Sequence, residues 1–116
     1  MIRFNEIIID DNKLSKIASD SFLKCANNIL ADDAKNFREC FEGYPLSDLK
    51  TVVFKIHYTK YLDNKFIGFD GSTMFHFEIH MHVFAYDEDE EAEQLAVYRL
   101  ILNENLEIVD DFLVTT

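Results

Sequence analysis

The chain has 116 residues, a formal net charge of −11 and 48% hydrophobic residues. That length fits one domain, residues 1–116, and the composition excludes a disordered polymer and a cysteine-stapled mini-scaffold. No apolar run approaches the ~18 residues of a membrane-spanning helix, and the N-terminus MIRFNEIIIDD lacks a signal peptide's small-residue cleavage site, so a cytoplasmic location is expected.

Ile2 to Ile9 is rich in isoleucine and reads as an opening strand. Asp10, Asp11 and Asn12 supply an N-cap and acids for a first helical turn. A helix is predicted from about Lys13 to Leu30. Leu14, Ile17, Ala18, Phe22, Cys25, Ala26, Ile29 and Leu30 recur at three- and four-residue steps and make one apolar face. Asp32 and Asp33 can cap a second helix, Ala34 to Glu42, with Ala34, Phe37, Cys40 and Phe41 on its stripe. Gly43 is placed as its left-handed stop, and Pro45 forbids continuation. Leu46 to Leu49 reads as one further helical turn. Cys25 and Cys40 both fall on these apolar stripes, so two reduced, buried thiols are expected.

From Thr51 the period changes from that of a helix to two. Val52, Phe54, Ile56 and Tyr58 face one way; Lys55, His57, Thr59 and Tyr61 face the other. Asp63-Asn64 and Asp70-Gly71 suit tight turns around a short strand at Lys65–Phe69. The longest alternating stretch follows, at 73–86. Phe75, Phe77, Ile79, Met81 and Val83 form a dry face, with His76, Glu78, His80 and His82 opposite. Residues 87–93, DEDEEAE, carry six carboxylates in seven positions and must be a solvated loop. Leu95 to Leu102, LAVYRLIL, is apolar except for Arg99 and reads as a central strand covered on both faces. Asn103 to Asn105 is a turn, and Leu106 to Val114 a last strand, interrupted at Asp110-Asp111 as by a bulge. The expected fold is an α+β two-layer sandwich. An N-terminal helix pair packs on one face of a mostly antiparallel sheet of about five to six strands.

Three constellations could carry function. The first is the polar face of 73–86. Imidazoles two residues apart on a strand leave the same face and can converge on one metal, so His80 and His82 form a pair to which Glu78 could add an oxygen; His76 is next in line. Pairing of strands 51–62 and 73–86 brings His57 near His76 or Glu78. The bland reading, a solvated or partner-facing polar face, outweighs a metal, and no cofactor is expected. The second is a catalytic interior. The element order resembles nuclear-transport-factor-like (NTF2-like) and cystatin-like folds, which implies a small-ligand-binding protein or an enzyme with acid/base residues inside a cone. Here the inward positions are Phe, Ile, Met and Val, which leave no room for substrate. With three glycines there is no phosphate loop, and no nucleophile elbow is present. No enzymatic activity and no catalytic residue is expected.

The third is charge. Residues 1–69 hold ten acids and ten bases; residues 70–116 hold twelve acids and one base, Arg99. Such a half repels nucleic acid and anionic membranes and attracts a cationic protein. A small acidic chain of this kind, with its DEDEEAE loop and no catalytic motif, resembles the immunity proteins of bacterial contact-dependent inhibition and related polymorphic toxin systems. The resemblance implies a cognate basic protein toxin, often a nuclease, as partner. It implies that Asp87, Glu88, Asp89, Glu90, Glu91 and Glu93 meet the toxin's Lys and Arg, with Tyr86 and Tyr98 as aromatic anchors. A strand edge at 2–9 or 106–114 leaves a homodimer open.

Overall fold

The computed structural model describes residues 2–4, 7–60, 75–103 and 105–115. The expected strand at Lys65–Phe69 and its two flanking turns lie outside them. The opening stretch is a hairpin and not one strand: β1 (Ile2–Phe4) pairs antiparallel with β2 (Ile7–Ile9). Helix α1 spans Asp11–Asp32, a turn longer than its apolar stripe suggests. The Asp10 side chain accepts from the Asn12 N–H and starts it. Helix α2 is Ala34–Cys40, capped by Asp33, which accepts from the Asn36 N–H. It closes one residue earlier than Gly43 implies. Glu42 already has φ +52° and Gly43 φ +85°, while the Gly43 N–H reaches back to the Arg38 carbonyl. A 3₁₀ turn, Leu46–Asp48, then leads into the sheet.

Among the described residues the main sheet has four strands, fewer than expected. They are β3 (Lys50–Lys60), β4 (Phe75–Tyr86), β5 (Ala92–Asn103) and β6 (Ile108–Thr115), antiparallel and in chain order. The chain is therefore α+β, with α1 packed against β4 and β5. Leu14, Ala18, Phe22 and Ala26 of α1 meet Phe77, Ile79, Met81 and Val83 of β4 and Ala96, Tyr98, Leu100 and Leu102 of β5, all buried. Each large side chain in this layer contributes about 1.5–3 kcal/mol on burial. Phe41, just beyond α2, closes one end with its ring edge-on to Phe22 at 6.1 Å. Leu30 departs from the expected stripe and is exposed.

Each pairing of the main sheet contains one irregularity, at Val53/Lys55, Val83/Phe84 and Ile101/Leu102. The first overturns the simple alternation expected of β3. Phe54 is an extra residue, so Val52 lies on the outer face with Lys55 and His57, while Val53, Ile56 and Tyr58 lie with the core. β5 is central, yet among the described residues a helix covers only one of its faces. Val97, Arg99 and Ile101 lie on the other face and are half-buried by neighbouring strands.

Two turns share one design. In Asp87–Glu91 and Asn103–Glu107 the first side chain accepts from two backbone N–H groups, two and four residues on. The fourth residue, Glu90 or Leu106, has φ +61°. This is a type I turn followed by a left-handed residue.

Candidate functional site

The face of the sheet turned away from α1 is built of cross-strand rows. One row is Val52, His82, Val97 and Val114; the next is Lys55, His80, Arg99 and Phe112; the third is His57, Glu78, Ile101 and Asp110. Phe54, the extra residue, lies over the first two rows. Its ring stacks on His82 at 3.9 Å and meets His80 edge-on at 5.9 Å. Val52, Phe54, Phe112 and Val114 are exposed, so this face mixes apolar and imidazole surface.

Of the sequence candidates for a metal, the structure unites a different trio from the one spacing favoured. His57, Glu78 and His80 bring one ligating atom each to within 4.8 Å of one another. His57 and Glu78 are direct partners across β3 and β4, as strand pairing allowed. His82 instead stacks on Phe54, and His76 sits a row away opposite Thr59. Glu78 Oε1 lies 3.5 Å from both His80 Nε2 and Arg99 Nε. Both nitrogens are buried without a hydrogen-bond partner, as is His82 Nδ1. Burial holds the His80 imidazole below its ordinary value. Glu78 opposes this, while Lys55, Arg99 and His57 add to the depression. The Arg99 guanidinium also lies 4.5 Å from the centre of the Phe112 ring.

The acidic turn lies at the end of the sheet where β4 passes into β5. Asp87 Oδ1 accepts from the Asp89 and Glu91 N–H groups, at 2.9 Å each. Asp87 is thereby a turn-maker, while Glu88, Asp89, Glu90 and Glu91 are exposed. No described Lys, Arg or His lies within ion-pairing distance of the six carboxylates of 87–93. Glu93 is engaged differently: the Tyr44 hydroxyl donates to its Oε2 at 2.9 Å, which pushes that hydroxyl up to about 12. Next to the turn, Tyr86 is exposed and meets Phe84 edge-on at 5.6 Å. A cleft of about 390 Å³ lies elsewhere, between the end of α1, α2 and β6, with Asp32, Asp33 and Asp111 in its wall. One of about 340 Å³ beside the acidic turn is lined by Val52, His82, Phe84, Ala92 and Gln94.

Tyr98 is not a surface anchor. It lies on the covered face of β5 with no exposure, opposite Met81 and Leu113. Its hydroxyl donates to Asp111 Oδ2 and accepts from Ser21 Oγ, both at 2.7 Å. The continuous run LAVYRLIL could not say which residues face the helices; the register with β4 does.

Glu42, which sequence reasoning passed over, joins the acidic end. A hydrogen bond to Glu93 and then repulsion from its charge raise the Glu42 carboxyl above its ordinary value. A carboxyl raised on folding binds more protons in the folded state, so this pair weakens the fold as pH rises through and past the ordinary carboxylate range. Glu42→Gln is therefore expected to melt above the parent at about pH 7, with the gap closing towards about pH 5. Thermal melts across that range check it; a gap that does not change with pH would show that the two carboxyls do not interact.

Cys25 and Cys40 are free and half-buried, more open than the fully buried thiols their stripes predict. Burial, helped by Asp111 and Cys40, pushes the Cys25 thiol up, away from the reactive thiolate. No described helix is long and apolar enough to cross a membrane.

Among the described residues, the chain is an α+β domain whose sheet is covered by a helix on one face and open on the other, with an acidic turn at one end that no basic side chain neutralises. Compared with known proteins, the chain matches no protein-family model, no curated protein and no solved structure.

Proposed function

We propose that the chain is a protein-binding domain of the immunity type, which neutralises a basic toxin in the cytoplasm by docking through its acidic turn. The observation that carries this reading is the pairing of two unlike surfaces at one end of the sheet. A turn pre-ordered by Asp87 presents Glu88, Asp89, Glu90 and Glu91 to solvent, and beside it lies the apolar cleft of Val52, Phe84 and Ala92 flanked by Tyr86. Interfaces combine a desolvated apolar centre with a charged rim. A pre-ordered turn loses little conformational freedom on binding. Carboxylates with no basic neighbour among the described residues keep their field for a partner and speed encounter with a cationic one. Tyr86 serves as the aromatic anchor.

The same field disfavours nucleic acid or an anionic membrane as partner. The β6 edge carries Asp110 and Asp111, which would be brought towards their own copies in a dimer paired there. A small-ligand-binding or enzymatic role of the NTF2-like kind is less well supported, because Phe77, Ile79, Met81 and Val83 are buried against α1 where such a chamber would open.

The first test is whether a reading frame beside this one encodes a basic toxin domain; its absence would count against the reading. Co-expression of this chain restores growth, and affinity for the purified toxin domain falls roughly tenfold or more between low and moderate salt. Reversing Asp89, Glu90 and Glu91 to Lys, with Asp87 kept so that the turn still forms, abolishes both rescue and salt dependence. Full rescue by that variant would remove the turn from the interface.

A further inference from the structure

We propose that His57, Glu78 and His80 form a binding site for a first-row divalent transition metal, zinc being the natural occupant, on the open face of the sheet. Three observations carry it. First, two strands in fixed register hold the donors: His57 and Glu78 are cross-strand partners, and His80 follows Glu78 on the same face. Ladder hydrogen bonds thus set the backbone positions, and side-chain rotation alone must bring the donors in. Their ligating atoms already lie within 4.8 Å, and tetrahedral zinc with bonds of about 2.0–2.1 Å needs about 3.4 Å between donors. Second, His80 Nε2 is buried without a hydrogen-bond partner, 3.5 Å from Glu78 Oε1. An orphaned buried nitrogen is costly, and coordination would satisfy it. Third, the donor set is selective. Two imidazoles and one carboxylate suit zinc, cobalt or nickel, and suit magnesium or calcium poorly. His57 is exposed, so water or another group can reach the remaining coordination position.

Two neighbouring cations oppose the metal: Lys55, the cross-strand partner of His80, and Arg99. Arg99 Nε lies 3.5 Å from the same Glu78 oxygen. Binding therefore requires Arg99 to yield that oxygen, which leaves its guanidinium the Phe112 ring it already lies over at 4.5 Å. This competition gives a signature that adventitious surface binding lacks.

The experiment uses the full chain, purified without a histidine tag and stripped with chelator, titrated with zinc chloride in a calorimeter and with cobalt chloride by its visible absorption. One equivalent of zinc is expected to bind. His57→Ala and His80→Ala should each weaken it at least ~10-fold, while His76→Ala leaves it unchanged. Arg99→Gln, which frees Glu78, should tighten it several-fold. Circular dichroism melts confirm that each variant folds. If a histidine variant does not fold, Glu78→Gln and Arg99→Gln decide between themselves: the first must weaken and the second tighten. No saturable zinc binding, equal binding of magnesium, or an affinity indifferent to both Glu78→Gln and Arg99→Gln would overturn the site.

Discussion

Phe22→Ala is expected to destabilise the chain by about 3–5 kcal/mol, a large share of the roughly 5–15 kcal/mol that holds a domain folded. The ring is 1% exposed and sits where three segments meet. It is edge-on to Phe41 at 6.1 Å and to Tyr98 at 5.5 Å, so it ties α1 to the residue closing α2 and to the central strand β5. Ala would leave a cavity between a helix and a sheet, and neither can collapse onto it without disturbing the other. Urea unfolding followed by circular dichroism reads the loss as a lower midpoint. A loss below about 1 kcal/mol would mean that the helix pair and the sheet are joined elsewhere.

Tyr98→Phe keeps the ring and removes one oxygen, and is still expected to cost about 1.5–3 kcal/mol. That oxygen accepts from Ser21 Oγ on α1 and donates to Asp111 Oδ2 on β6. It therefore links a helix to an edge strand through the central strand. The bond to Asp111 is charge-assisted, the stronger kind. Burial, with the Asp111 contact adding and Ser21 opposing, holds the Tyr98 hydroxyl far above the ordinary tyrosine range, so it remains a donor. A double-mutant cycle with Asp111→Ala isolates the pair, and a coupling of at least about 0.5 kcal/mol is expected. Strict additivity would assign the loss to Ser21 or to desolvation alone.

Much of this fold is legible in periodicity. The three- and four-residue steps from Leu14 to Ala26 found the core face of α1, and the alternation from Phe77 to Val83 found the core face of β4. Both signals are strong because one face is dry and the other wet. Where that contrast fails, so does the reading. The stretch from Leu95 to Leu102 is apolar throughout, so Tyr98 looked free to face a partner, and only the pairing Met81↔Tyr98 settles its direction. The isoleucines of 2–9 have too little contrast to separate two three-residue strands from one. The outer-face cluster was half visible. The His57–Glu78 partnership follows from pairing the two polar faces, and His80 joins it rather than His82 because it lies one row from Glu78 and His82 lies two. Glu42 left no signal, because a helix stop beside Gly43 normally falls to the glycine.

Phe54 itself has a wider meaning. The residues on either side of it, Val53 and Lys55, are matched to Met81 and His80, which are consecutive on β4. Taking residue 54 out would therefore restore an unbroken ladder and turn no other side chain over. The hydrogen-bonding of the sheet makes no demand for that residue. Its ring, 47% exposed, lies against His80 and His82. A residue the ladder does not require thus sets an apolar ring beside the imidazoles, so that any ligand or partner reaching them from solvent would meet that ring as well.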